Sequence, residues 1–368
     1  MEDGTAGTRR ATVWTASRNV GRRCGRIGAL ELSRAGRAAE QAVAVRASVG
    51  IFRLSDRGLI EVGGGDRVRW LDGMLSNDIT SLRVGAENSG CRAIALTAKG
   101  RIVADLHVLA RGASFWLETA AAAVPRIIEH FERHLIADDV SLRDLGPSID
   151  RLAVEGRLAE SLLESVAGAP LGLAADCCKI LRIGEIEAVV ARYGWSGEVG
   201  FQLLVPAGSG EAVAKEIEAA GSSSKLISAG PKTLNILRIE AGIPQFGAEI
   251  DETVLPAEAR LGCAVARSKG CYVGQEVVAR MEAAGRMSHL LVGLALGEAP
   301  IPEPGSEITA SGKRVGEVTS SCLSALAGSI ALGFVRTAHS ATGTELCVAG
   351  QPVRVAALPF AGPGASAP

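Results

Sequence analysis

RYGWSGEVGFQLLV, residues 192–205, sets an acidic residue, Glu198, among three glycines and two aromatic side chains, Tyr193 and Trp195, and then runs straight into an apolar strand. A glycine-rich turn lets a backbone approach a flat ligand, and one carboxylate there can accept two parallel N–H donors such as an aminopyrimidine edge offers. The same pattern also serves as an ordinary hairpin turn. Its Gly-x-x-Gly spacing lacks the strand-then-helix context of a phosphate loop.

Working outward, the chain has a globular pattern from Val45 onward. GIFRLSDRGLIEVGGGDRVRWLDGMLSND (50–78) reads as strand, turn, strand and a helix with Val68, Leu71 and Leu75 on one face and Asp66 as N-cap. CRAIALTAKGRIVADLHVLARGASFWLETA (91–120) reads as three strands broken at Lys99-Gly100 and Arg111-Gly112, followed by a helix over 122–135. A second, similar unit starts near Pro147, with strands at 151–154 and 186–192 and helices at 209–220 and 231–241. From about residue 286 short apolar strands alternate with Gly/Pro turns, the signal of a small β-barrel or sandwich. The order of elements predicts α+β rather than a βαβ repeat.

The 368 residues carry a formal net charge of −1, so nothing global attracts polyanions and direct nucleic-acid binding is not expected. Eight scattered cysteines form no C-x-x-C pair and no zinc spacing, which argues against a structural metal and for free thiols in a reducing compartment. No run of eighteen apolar residues is present, and a membrane partner is not expected. The first segment is different: residues 1–44 hold eight arginines and no lysine. It reads as a transit peptide, a basic arm or read-through from an early start codon, and the expectation is a disordered, dispensable extension. The expected divisions are 1–44 as that extension, 45–285 as two interleaved α+β subdomains and 286–368 as the barrel.

Several positions carry chemistry. Asp105, in GRIVADLHV (100–108), is an acid inside an apolar strand; alternation puts it with Val103 and His107, either on the wet face of a half-buried sheet or in a cleft. Cys271, in SKGCYVGQEVVAR (268–280), stands beside Lys269 and near Arg267, neighbours that favour a thiolate. A small hydrophobe in a turn accounts for it equally well. Arg238 and Glu240, in LRIEAG, read as a surface ion pair.

Together these motifs carry a resemblance. KGCYVGQE (269–276), with Lys269, Gly270, Cys271, Tyr272, Gly274, Gln275 and Glu276, resembles the signature of the YgfZ family, folate-binding proteins linked to iron-sulfur cluster maintenance and tRNA modification. GIFRLSDRG, GRIVADLHV, RYGWSGEVGF, LRIEAGIPQFGAEID and GEVTSSCLSALAGSIALGFV resemble blocks of the wider aminomethyltransferase (glycine cleavage T-protein) superfamily. The resemblance implies a three-subdomain cloverleaf around a hole for tetrahydrofolate, closed by a C-terminal barrel. It implies Glu198 at the pterin edge with Tyr193 and Trp195 beside it, Arg238 as ligand support, and Asp105 at the position of the transferases' essential aspartate. Ala104 stands where a second aspartate is common.

On the YgfZ reading Cys271 faces the folate cavity, iron-sulfur assembly factors or enzymes are the partners, and the compartment is cytoplasm or, in a eukaryote, the mitochondrial matrix. The alternatives are a tetrahydrofolate-dependent aminomethyltransferase, in which Asp105 acts and no thiol is needed, and a non-catalytic folate-sensing scaffold.

Overall fold

The computed structural model describes residues 26–84, 88–284 and 287–363. Helix α1 (Arg26–Ala47) leads into β1 (Gly50–Arg53), β2 (Arg57–Gly63), α2 (Arg67–Met74), β3 (Gly90–Leu96), β4 (Ile102–Arg111) and β5 (Ser114–Ala120). Then come α3 (Val124–Glu132), β6 (Ser141–Asp144), β7 (Ile149–Glu155), α4 (Ala159–Ala167), β8 (Cys178–Ile183), β9 (Ile186–Ala191) and β10 (Gly200–Pro206). Helices α5 (Gly210–Ala220), α6 (Pro231–Ala241) and α7 (Gln275–Ala284) follow, with β11 (Ile227–Ala229) before α6. The last strands are β12 (His289–Gly297), β13 (Glu307–Ala310), β14 (Lys313–Ser324), β15 (Gly328–Arg336), β16 (Glu345–Val348) and β17 (Gln351–Ala356).

These form a five-stranded sheet ordered β3-β4-β5-β2-β6, a six-stranded sheet ordered β11-β1-β7-β10-β9-β8, and a closed barrel ordered β12-β15-β14-β13-β16-β17. The expected α+β class and C-terminal barrel are both present. The first two units interleave: β1 belongs to the six-stranded sheet although β2 to β6 build the other. Among the described residues no helix is long and apolar enough to cross a membrane.

Sheet packing corrects the reading of Asp105's strand. One face of the five-stranded sheet packs on α2 and α3 through Leu106, Val108, Leu71 and Phe131. The opposite face is also covered, because Leu59 and Leu109 pack on Val189, Ala191, Tyr193 and Leu204 of the six-stranded unit. Nine consecutive residues of β4, including Asp105 and His107, are therefore buried. Alternation placed Asp105 and His107 on one face, which a second sheet rather than water covers. Val103, expected with them, instead packs with Ala104, Leu106 and Val108 on the helix side, because the β3–β4 register shifts at Val103.

The N-terminal expectation is corrected as well. Helix α1 crosses the boundary drawn at residue 45, and Ala38, Ala39, Ala42 and Val45 are buried against Ile236, Leu237 and Ile239 of α6. Their spacing lays small side chains along one helical stripe, so α1 approaches α6 closely while giving little hydropathic signal. Thr233 Oγ1 of α6 donates to Gln41 Oε1 at 2.9 Å. Residues 1–25 lie outside the described residues.

Candidate functional site

The turn over residues 193–200 is held from inside. Glu155, at the end of β7, is fully buried and accepts the backbone N–H of Trp195 at 3.0 Å and of Ser196 at 2.7 Å. Burial raises the Glu155 pKa, against the lowering effect of these donors. The carboxylate that takes paired N–H donors is thus Glu155, which nothing in the local sequence marked. The glycines serve a backbone crossing: a Cβ on Gly200 would meet Gly194 Cα at 2.6 Å, and one on Gly197, whose φ is +76°, would meet Ala241 Cβ at 2.7 Å.

Glu198 is placed differently from the expectation. Its side chain, 2% exposed, pairs with Arg46 Nη1, and Arg46 Nε donates to Glu240 at 2.9 Å. Glu198 does not line the cavity described below. The expected Arg238–Glu240 surface pair is also absent from the described residues. Both residues are buried, Glu240 bonding Arg46 and Ser324, and Arg238 bonding Asn235 at 2.8 Å, Glu249 at 3.0 Å and Ser320 at 2.7 Å.

Asp105 sits in a buried polar corner. Its Oδ2 accepts Arg92 Nη2 at 2.9 Å, and its carbonyl accepts Thr119 Oγ1 at 2.9 Å. Arg92 lies opposite His107 on β3, while Ile94 lies opposite Asp105, so the sheet register sets the guanidinium diagonally across from the carboxylate. His107 stacks on Tyr193 with ring centroids 3.8 Å apart. Burial, with Arg92 and Arg57 nearby, holds the His107 pKa well below the usual imidazole value, so the ring is neutral. Burial pushes the Tyr193 phenol well up. Glu118, opposite His107 on β5, accepts Arg57 Nε and, at 2.9 Å, Arg57 Nη2, and lies 3.6 Å from Arg151 Nη1. The Arg57 Cζ stands 4.2 Å over the Trp195 ring. Burial opposes the Arg57 charge, but Glu118 more than offsets it and the pKa lies above the ordinary guanidinium value.

This corner opens into a cavity of about 540 Å³, a size suited to a small organic ligand. Asp105, Trp195 and Arg238 line it, as do Arg57, Asn235 and Phe246. Three of the expected site residues therefore meet at one cavity. Tyr193 stands behind the wall, and its hydroxyl, like Trp195 Nε1 and His107 Nδ1, finds no hydrogen-bond partner among the described residues. Arg57, Arg92 and Glu118 are functional candidates the sequence reading missed; Arg57 lay unremarked inside the quoted block GIFRLSDRG.

Cys271 is exposed and does not line the cavity, which corrects its expected placement there. The octapeptide instead docks onto α2. Lys269 Nζ donates to the carbonyls of Asp72, Leu75 and Asn77 at 2.6, 2.8 and 2.8 Å and pairs with the Asp72 carboxylate at 3.0 Å. Burial lowers the Lys269 pKa, against the opposing effect of Asp72. Gly270 runs beside Asp72, Tyr272 is buried under the Lys269 ammonium, and Gly274 (φ +85°) passes so close to Thr97 O that a Cβ would fall 2.6 Å from it. Gln275 Oε1 accepts the Tyr272 N–H at 3.3 Å, and Glu276 pairs with Arg280 on the exposed face of α7. Among the described residues no cluster of His, Cys, Asp and Glu is suited to a metal ion.

Comparison with known proteins agrees with this architecture. Residues 12–269 match the model of the GCVT N-terminal domain, and residues 290–362 match the glycine cleavage T-protein C-terminal barrel domain. A curated aminomethyltransferase of Streptomyces coelicolor is 32% identical over 334 residues, covering 87% of this chain and 88% of that protein. One of Rubrobacter xylanophilus is 32% identical over 322 residues, covering 86% and 84%. The crystal structure of the glycine cleavage system aminomethyltransferase T from Bartonella henselae superposes with a TM-score of 0.79 at 25% identity, covering 89% of this chain and 90% of that one. With an N-terminal unit, a C-terminal barrel and full-length relatives all matching, the chain belongs to the glycine cleavage T-protein family.

Proposed function

We propose that the protein binds a reduced folate in the cavity lined by Asp105, Trp195 and Arg238 and supports an aminomethyl-type one-carbon transfer there. The observation that carries this reading is Asp105, a buried carboxylate on the cavity wall, fixed by Arg92 at 2.9 Å. The cavity fits the group: Trp195 and Phe246 supply flat apolar walls, Asn235 and Gln245 supply hydrogen-bonding groups, and Trp195 Nε1 is a buried donor without a partner among the described residues. Tetrahydrofolate, when bound, supplies the nitrogens that take up the one-carbon unit. Asp105 contributes a fixed negative charge and a hydrogen-bond acceptor for the cationic nitrogen of the aminomethyl group. The covering sheet keeps bulk water off that carboxylate, so its charge acts in a medium of low polarity. Ala104, where a second acid is common, packs in the core under α2 and α3, and Asp105 is the acid of this strand that lines the cavity.

The test is Asp105→Asn. Transfer of a one-carbon unit to tetrahydrofolate should fall about a hundredfold or more while calorimetric binding of 5-formyltetrahydrofolate stays near wild type. Full activity in the variant would remove Asp105 from the chemistry.

A second reading, support of iron-sulfur enzymes and tRNA modification, draws on the KGCYVGQE octapeptide and the exposure of its Cys271 thiol. On that reading the thiol and the folate cavity are separate sites, and the thiol meets a protein partner rather than the folate. A folate-sensing scaffold differs from both in predicting folate binding with no transfer. Deleting the gene and measuring glycine cleavage beside a radical iron-sulfur tRNA-modifying activity separates them.

A further inference from the structure

We propose that Arg57 recognises a carboxylate on the ligand, so that the corner of the cavity it shares with Asp105 takes the acidic end of a small molecule; the folate reading above enters only as one of two sources of that carboxylate. The cavity wall contains three arginines, and they are committed to different degrees. Arg238 spends all three nitrogens, on Asn235, Glu249 and Ser320. Arg53 faces outward to Glu211, Glu218 and Ser228. Arg57 spends Nε and Nη2 on one carboxylate, Glu118, and its Nη1 has no partner among the described residues.

Charge points the same way. Glu118 serves two guanidinia, Arg57 and Arg151, and Asp105 is engaged by Arg92. Three buried or half-buried guanidinia thus face two buried carboxylates, while the acids left near this corner are solvated: Asp56 on the cavity wall is exposed, and Asp176, 3.8 Å from His107, is 42% exposed. Arg151 Nη2 is a further buried donor without a partner among the described residues. A planar guanidinium whose orientation is already fixed by Glu118 and by stacking on Trp195 loses little freedom when it binds an anion, and its remaining edge suits a carboxylate.

Two ligands present such a group: the glutamyl tail of a folate, or a separate amino acid whose carboxylate meets Arg57 while its amine meets Asp105. Three probes distinguish them by calorimetry: 5-formyltetrahydrofolate, 6-methyltetrahydropterin, which has the ring and no carboxylate, and N-methylglycine. Each is titrated into the full chain as wild type, as Arg57→Lys, and as the paired variant Arg57→Met with Glu118→Gln, which avoids stranding the Glu118 charge if a single Arg57→Met fails to fold.

Both variants should weaken at least one carboxylate probe about tenfold or more, with 6-methyltetrahydropterin unchanged. Loss confined to the folate assigns the tail; loss confined to N-methylglycine assigns an amino-acid co-substrate. The proposal is overturned if the carboxylate probes bind the variants as they bind wild type, if all three probes weaken together, or if wild type binds the pterin and neither carboxylate probe. The last outcome leaves the folate reading standing, whereas Arg57-dependent binding of N-methylglycine without pterin binding would remove the folate reading and keep this one.

Discussion

Arg46, in the last turn of α1, forms a buried ion pair with Glu198, a residue 152 positions further along the chain, with side chains 0% and 2% exposed. The same guanidinium reaches Glu240 on α6, so one cation joins the N-terminal helix, the glycine-rich turn and the helix under the barrel. Removing one member of a buried pair strands the other charge without solvent. Arg46→Met should therefore lower the unfolding free energy by about 3–5 kcal/mol in urea titrations. A loss below about 1 kcal/mol would show that the pair carries little of the fold.

The segment ahead of Val45 should be needed rather than dispensable. A chain starting at residue 45 loses the buried methyls of Ala38, Ala39 and Ala42 and the Gln41–Thr233 hydrogen bond. At roughly 0.8 kcal/mol per buried methyl, the loss is at least about 2 kcal/mol, seen as a lower melting temperature. An unchanged melting curve would mean that α1 does not hold the α6 face in solution.

Lys269 and Cys271 are two residues apart and should respond oppositely. Lys269→Met leaves three carbonyls and the Asp72 carboxylate without their cation at a side chain 1% exposed, and should cost about 2–4 kcal/mol. Cys271→Ser, at an exposed position off the cavity, should stay within about 0.5 kcal/mol of wild type and bind folate unchanged. If Cys271→Ser weakened folate binding, the thiol would have to reach the cavity in a different arrangement of the loop.

His130 gives a pH dependence of defined sign. Burial, followed by His134, Arg133 and Arg126 as like charges, lowers its pKa from 6.5 to about 4. Below pH 6.5 the unfolded chain takes up a proton that the folded state refuses until about pH 4, so stability is lost as pH falls through that window. Urea titrations between pH 7 and 4.5 should show wild type losing more stability than His130→Gln. Parallel losses in the two proteins would remove His130 as the cause.

The sequence by itself determined what local pattern encodes. The turns at Lys99-Gly100 and Arg111-Gly112, the helix at 231–241 and the alternation of the last strands all follow from side-chain period and turn chemistry, and the structure has β3, β4, β5, α6 and the barrel at those places. The ordered blocks were enough for the superfamily, and they named Asp105, Trp195 and Arg238, which the fold brings to one cavity. Tertiary structure decided which partner each polar group takes. Glu155 rather than Glu198 receives the N–H groups of the glycine-rich turn, Glu198 is taken by Arg46, and Lys269 is spent under α2. It also decided that the polar face of β4 lies against a second sheet, which turns Asp105 from a solvated acid into a buried one. The physical reason is distance along the chain: periodicity reports whether a face is apolar, while the pairing of a buried charge depends on residues brought together from other elements, 41 positions apart for Glu155 and Ser196, 61 for Arg57 and Glu118, and 152 for Arg46 and Glu198.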